Sequence, residues 1–128
     1  MKFLIASDIH GSATWCRRLV DALDREQPDR LLLLGDVLYH GPRNDLPEGY
    51  APKEVIAMLN PLAASIIAVR GNCEAEVDQM VLDFPCMADY TTIFDPTATL
   101  TADGDAREKP GCELFLTHGH VYGTGFHN

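Results

Sequence analysis

KFLIASDIHGS, residues 2–12, joins a short apolar run to an Asp and a His one residue apart. The run Phe3 to Ala6 is continuous rather than alternating, which predicts a strand buried on both faces. A strand that stops on two side chains able to offer electron pairs to a cation is presenting them to something. The same form recurs three times downstream. LLLLGDVLYHG (31–41), IIAVRGNCE (66–74) and LFLTHGHVYG (114–123) each run from apolar residues into polar ones beside a glycine.

Between these runs lie amphipathic stretches. Ala13 to Glu26 sets Trp15, Leu19, Ala22 and Leu23 at helical spacing, with Arg17, Arg18, Asp21 and Arg25 elsewhere around the helix. Pro52 to Leu62 opens with proline in a first helical turn. Glu74 to Leu82 predicts a third, short helix with Val77, Met80 and Val81 on one side. Strand–helix alternation over this part of the chain predicts an α/β fold with helices packed on a sheet. From Tyr90 to Leu116 the Thr-rich, β-branched pattern instead predicts two or three antiparallel strands, with an exposed tip near Gly104 to Gly111. Repeats and linkers are absent, so residues 1–128 are read as one domain.

Composition narrows the function. The chain carries 10 basic and 19 acidic residues, a net charge of −9. That excludes a broad phosphate- or lipid-binding face, so neither a nucleic-acid nor a membrane surface is expected. A small phosphate ester in a metal-lined cleft remains compatible, since two divalent cations would bring the formal charge from −9 to −5. Cys16, Cys73, Cys86 and Cys112 form no CxxC pair, which predicts free thiols in a reducing compartment. FLIA is too short for a signal-peptide core, and no apolar run approaches the ~18 residues of a membrane span. A soluble, cytoplasmic protein is expected.

Asp8, His10, Asp36, Asn72 and His118, with His120 two residues on, all follow strands. Ligands collect at the carboxyl ends of parallel strands, so these termini are expected to converge. Singly, each has a plain alternative: a helix cap, a turn residue or a solvated imidazole. Repetition in order changes the weight. Two carboxylates, an amide oxygen and imidazoles form a mixed oxygen and nitrogen set, suited to Mn²⁺, Fe²⁺ or Zn²⁺.

SDIHGS, GDVLYHG, GNCE and THGH together resemble the successive motifs of the calcineurin-like metallophosphoesterases. The longer stretches GDVLYHGPRNDLPEGYAP and AVRGNCEAEVDQM resemble the YfcE-type bacterial phosphodiesterases within that superfamily. The resemblance implies a two-sheet β-sandwich flanked by helices. It also implies a metal-dependent phosphodiesterase that hydrolyses small phosphodiesters with a hydroxide activated by two metal ions, most simply two Mn²⁺. Asp8 and His10 would bind one ion, Asp36 would bridge, and Asn72 and His118 would bind the other. Asp36, Asn72 and His118 are thereby the catalytic set.

His120 is a candidate for the phosphate or for a merely solvated position. His40, Arg43 and Asn44 would line the substrate entrance, with Arg43 alternatively paired to Asp45 or Glu48. The acidic loop DLPEG would serve a possible homo-oligomer contact, and Trp15 and Tyr39 are read as core or rim aromatics. Two departures from the family pattern stand out. Cys73 replaces the histidine of the usual GNH, and a thiol is a weak proton donor. The GHTH motif and the strands after it do not occur in these residues, which predicts a C-terminally truncated domain with uncovered apolar surface. His127 is a possible stand-in ligand. The alternative is then a catalytically weak or inactive scaffold, or a fragment, that acts through protein interaction.

Overall fold

The computed structural model describes residues 1–101 and 108–123. Three strands, β1 (Phe3–Ala6), β2 (Arg30–Leu33) and β3 (Ile66–Ala68), form a parallel sheet in that order. They alternate with helices α1 (Ala13–Glu26), α2 (Pro52–Leu59) and α3 (Glu76–Val81). Strands β4 (Tyr90–Thr101) and β5 (Glu108–Thr117) pair antiparallel as a second sheet. The expected α/β architecture of two sheets with helices is present. His127 and residues 104–107 of the anticipated hairpin tip lie outside the described residues, and residues 108–111 belong to β5 rather than to that tip.

β2 explains how the layers meet. Its side chains alternate between faces. Leu31 and Leu33 pack with Cys16 of α1 and Val55 and Leu59 of α2, whereas Leu32 packs with Val69 and Leu116. Helices therefore cover one face of the parallel sheet and the hairpin covers the other. The continuous run Leu31–Leu33 is 1% exposed throughout because both sides are occupied.

β1 corrects the expectation of burial on both faces. Among the described residues it is an edge strand, and Ile5 is 59% exposed beside a 140 Å³ cavity shared with Leu32, Leu114 and Phe115. The fourth apolar run is also not a member of the parallel sheet, since β5 pairs only with β4 among the described residues. Alternation in β5 sends Leu114 and Leu116 inward and leaves Phe115 exposed, stacked on Tyr90 with ring centroids 5.3 Å apart.

The helices follow their local chemistry. Ser12 caps α1 by accepting the Trp15 N–H at 3.2 Å and is itself fully buried. Trp15 lies on the rim, half-exposed, with the Arg18 guanidinium 4.4 Å from its ring. α2 tightens into a 3₁₀ segment, Asn60–Ser65, where Pro61 removes a backbone donor. α3 begins at Glu76 rather than Glu74, because Glu74 is turned inward. The apolar side of α3 is exposed rather than packed, with Val77, Met80 and Val81 all solvent-accessible.

Candidate metal centre

The carboxyl ends of β1, β2 and β3 open on one edge, and the chain turns sharply just past them. Asp8, His10 and Asp36 take positive φ values of 60°, 49° and 55°. Left-handed backbone is strained for such residues, by roughly 1–3 kcal/mol each. Backbone hydrogen bonds hold it: Asp8 N–H donates to Gly35 O at 3.0 Å, His10 N–H to Asp36 O at 2.9 Å, and Gly11 N–H to Val37 O at 2.8 Å. Pairing thus continues beyond the sheet and locks the first two loops together.

The two imidazoles are oriented in the same way. His10 Nδ1 lies 2.8 Å from Tyr39 O, and His118 Nδ1 lies 2.6 Å from Leu34 O. A carbonyl only accepts, so each Nδ1 carries the hydrogen and each Nε2 is left as the ring's electron-pair donor. His10 Nε2 stands 3.2 Å from Asp8 Oδ1 and 3.7 Å from Asp36 Oδ2. His118 Nε2 stands 3.1 Å from Asn72 Oδ1 and 3.4 Å from that same Asp36 Oδ2. Five electron-pair donors therefore face one another around a nearly buried carboxylate oxygen.

Such a set fits cations. Asp8, Asp36 and His118 offer ligand atoms within 4.8 Å of one another, as do His10, Asp36 and Cys73. Asp36 belongs to both groups and lies between the imidazoles. The structure thus brings together Asp8, His10, Asp36, Asn72 and His118, five of the six residues that the strand-end pattern singled out, with His118 delivered by the hairpin sheet.

Glu74 is the important residue that sequence reading left without a role. It is 9% exposed, and its carboxylate accepts the Val37 N–H at 2.8 Å and the Gly71 N–H at 2.5 Å. Those donors adjoin Asp36 and Asn72, so one buried side chain ties two ligand loops. Its signal was the presence of an ionisable residue directly after Gly71-Asn72-Cys73. Cys73 N–H donates to Asp36 Oδ1 at 2.9 Å, leaving Oδ2 turned to the imidazoles. Burial first, then the Asp36, Glu74 and Asp8 carboxylates, push the Cys73 thiol up to about 11 in the metal-free protein.

Gly35 and Gly71 let these loops touch. A Cβ on Gly35, whose φ is +99°, would overlap the Gly71 backbone, and a Cβ on Gly71 would overlap the Asp36 carboxylate. Gly35→Ala is therefore expected to cost roughly 2–5 kcal/mol. Gly119→Ala, also at positive φ but with nothing within 4 Å of its Cβ, is expected to cost only about 1–2 kcal/mol. Urea denaturation of both variants measures the difference.

The remaining candidates are arranged around this centre. The His120 ring is exposed, 5.3 Å from that of His118. The His40 ring packs edge-on between Tyr39 and Tyr50 at 4.7 and 5.3 Å, and its buried Nδ1 has no hydrogen-bond partner among the described residues. Arg43 is exposed and forms no ion pair with Asp45 or Glu48. The Asn44 amide donates to His40 O at 2.9 Å, bracing that loop.

Known proteins match most of the chain. The profile of the calcineurin-like phosphoesterases matches residues 1–127. Phosphodiesterase YfcE of Escherichia coli strain K12 is 47% identical over 123 residues, which make up 96% of this chain and 59% of that protein. YfcE of E. coli O157:H7 matches with the same figures. A solved structure of YfcE, a phosphoesterase from E. coli, superposes with a TM-score of 0.82 at 46% identity, over 97% of this chain and 60% of that one. The chain thus spans about three-fifths of the length of these relatives.

Proposed function

The chain belongs to the calcineurin-like phosphoesterase family, and from that premise we propose that it hydrolyses small phosphodiesters with the help of two divalent cations. Asp8 and His10 would hold one cation, Asn72 and His118 the other, and Asp36 would be shared between them. The observation that carries this reading is the position of Asp36 Oδ2 between two imidazole Nε2 atoms, each ring fixed by a backbone carbonyl. A hydrogen-bonded orientation of this kind strengthens a histidine ligand.

Divalent cations at such a centre make water nucleophilic at neutral pH and neutralise charge on phosphoryl oxygens. The chain's residues do the rest. Asn72 offers an amide oxygen, which adds no negative charge to repel the anionic substrate. Asp36, 2% exposed, keeps its carboxylate fixed through the Cys73 N–H. His120 and Arg43 are the groups available to contact phosphate oxygens, and Arg43 forms no ion pair with Asp45 or Glu48 of its own loop. Cys73 supplies only a weakly acidic proton to a departing alkoxide, so the favoured esters have leaving groups that depart with little assistance. Mn²⁺ suits the donor set, with Zn²⁺ and Fe²⁺ as alternatives.

The test is hydrolysis of a bis-aryl phosphodiester by the purified chain, with Mn²⁺ and after chelation. Turnover is expected with Mn²⁺ and is expected to disappear with the chelator. No turnover from folded, Mn²⁺-loaded protein would favour a non-catalytic scaffold instead. The exposed apolar side of α3 gives that second reading its physical basis.

A further inference from the structure

Beside the metal centre, between α2 and α3, lies an open groove of about 390 Å³. Its walls are Leu38, Tyr39, Tyr50, Ile56, Val77 and Val81. We propose that this groove binds the organic group of the phosphoester and selects an apolar, aryl-type alcohol. The inference rests on the phosphodiesterase reading and adds the substrate class to it.

Continuity with the metal centre is the first argument. Cys73 lines the groove, and its Sγ is within 4.8 Å of ligand atoms of His10 and Asp36. Tyr39 is shared in the same way: its backbone carbonyl orients the His10 ring, while its half-exposed side chain forms groove wall. A phosphorus atom held at the cations thus has its ester substituent next to the groove mouth.

The lining chemistry is the second argument. Besides the tyrosine hydroxyls, the Cys73 thiol and main-chain atoms, the polar groups on the walls are Lys53 and Asp78. Asp78 is already engaged, accepting the Ala75 N–H at 3.0 Å. Few donors and acceptors are therefore free to read sugar hydroxyls or base edges. Aliphatic walls flanked by two phenol rings instead favour a flat apolar group. The volume falls within the range of small-molecule sites. Lys53 adds the one cationic side chain on the wall, favourable to an anionic ester.

The test is calorimetric binding of phenylphosphonate and methylphosphonate to the Mn²⁺-loaded protein, a readout that needs no turnover. Phenylphosphonate is expected to bind at least about tenfold more tightly. Val77→Trp, at an exposed groove-lining position, is expected to remove that preference while methylphosphonate still binds. Met80→Trp, on the same helix but off the groove, is expected to preserve the preference. Equal binding of both phosphonates to the unmodified protein would overturn the groove assignment and leave the metal centre standing. Binding of neither would overturn it together with the reading it rests on. Equal loss in both tryptophan variants, with a change in sedimentation, would overturn it in favour of a second copy seated on α3.

Discussion

Asp36→Asn is expected to lower metal-dependent phosphodiester hydrolysis by at least about 100-fold while leaving the fold intact. Loss of an outer partner of a metal ligand costs about 10–100-fold, and a carboxylate that both cations would share, as proposed for Asp36, would carry more. The substitution is nearly isosteric. The carboxamide oxygen would still accept the Cys73 N–H that Asp36 Oδ1 accepts now. In place of Oδ2 stands an amide NH₂, facing His10 Nε2 and His118 Nε2 across 3.7 and 3.4 Å. The new donor meets electron pairs otherwise available to the cations. The metal-free variant is thus expected to melt no lower than the unmodified protein. The rise in melting temperature produced by Mn²⁺ should disappear, because a ligand stabilises only the state that binds it. Thermal melts with and without Mn²⁺, beside turnover, measure both halves. Retained Mn²⁺-dependent turnover would exclude Asp36 as the bridge.

Glu74→Ala is expected to destabilise the protein by about 2–5 kcal/mol. Two buried backbone donors, Val37 N–H and Gly71 N–H, lose their acceptor together. Each orphaned buried group costs about 1–3 kcal/mol. Removing a negative charge close to Asp36 offsets part of that cost in the metal-free protein, so the loss falls below the maximum. Glu74→Gln keeps one acceptor but turns an NH₂ toward the other N–H, and roughly half the loss or more should remain. Urea denaturation of metal-free protein gives these values, and Mn²⁺ titration should show weaker binding as the loops loosen. A loss below about 0.5 kcal/mol for Glu74→Ala would mean that water replaces the carboxylate.

Strand–helix alternation up to α3 was legible because each element carries its own local pattern. α1 runs over Ala13–Glu26 as its spacing indicated. The proposed ligands were legible as well, since strand ends of a parallel sheet share one edge. What was not legible depends on layers meeting. The same apolar period makes Leu32 buried and Ile5 exposed, and what distinguishes them is the hairpin, whose Leu116 packs with Leu32. LFLTHGH reads like the earlier strand ends, yet β5 runs in another sheet and reaches the centre through the His118 contact with Leu34 O. Glu74 resembles a surface helix residue until its carboxylate is seen between two loops. The apolar side of α3 was visible in the sequence, but not that it would border a groove instead of joining the core.

His118 approaches Asn72 from 46 residues further along the chain. On a ribosome adding roughly 5–20 residues per second, it emerges about 2–9 seconds after the other four donors. During that interval the first of the two proposed positions, Asp8, His10 and Asp36, has all its side chains, whereas the Asn72 side still lacks its imidazole. On the proposed assignment the second position would therefore be completed only when the hairpin brings His118 against Leu34 and Asn72.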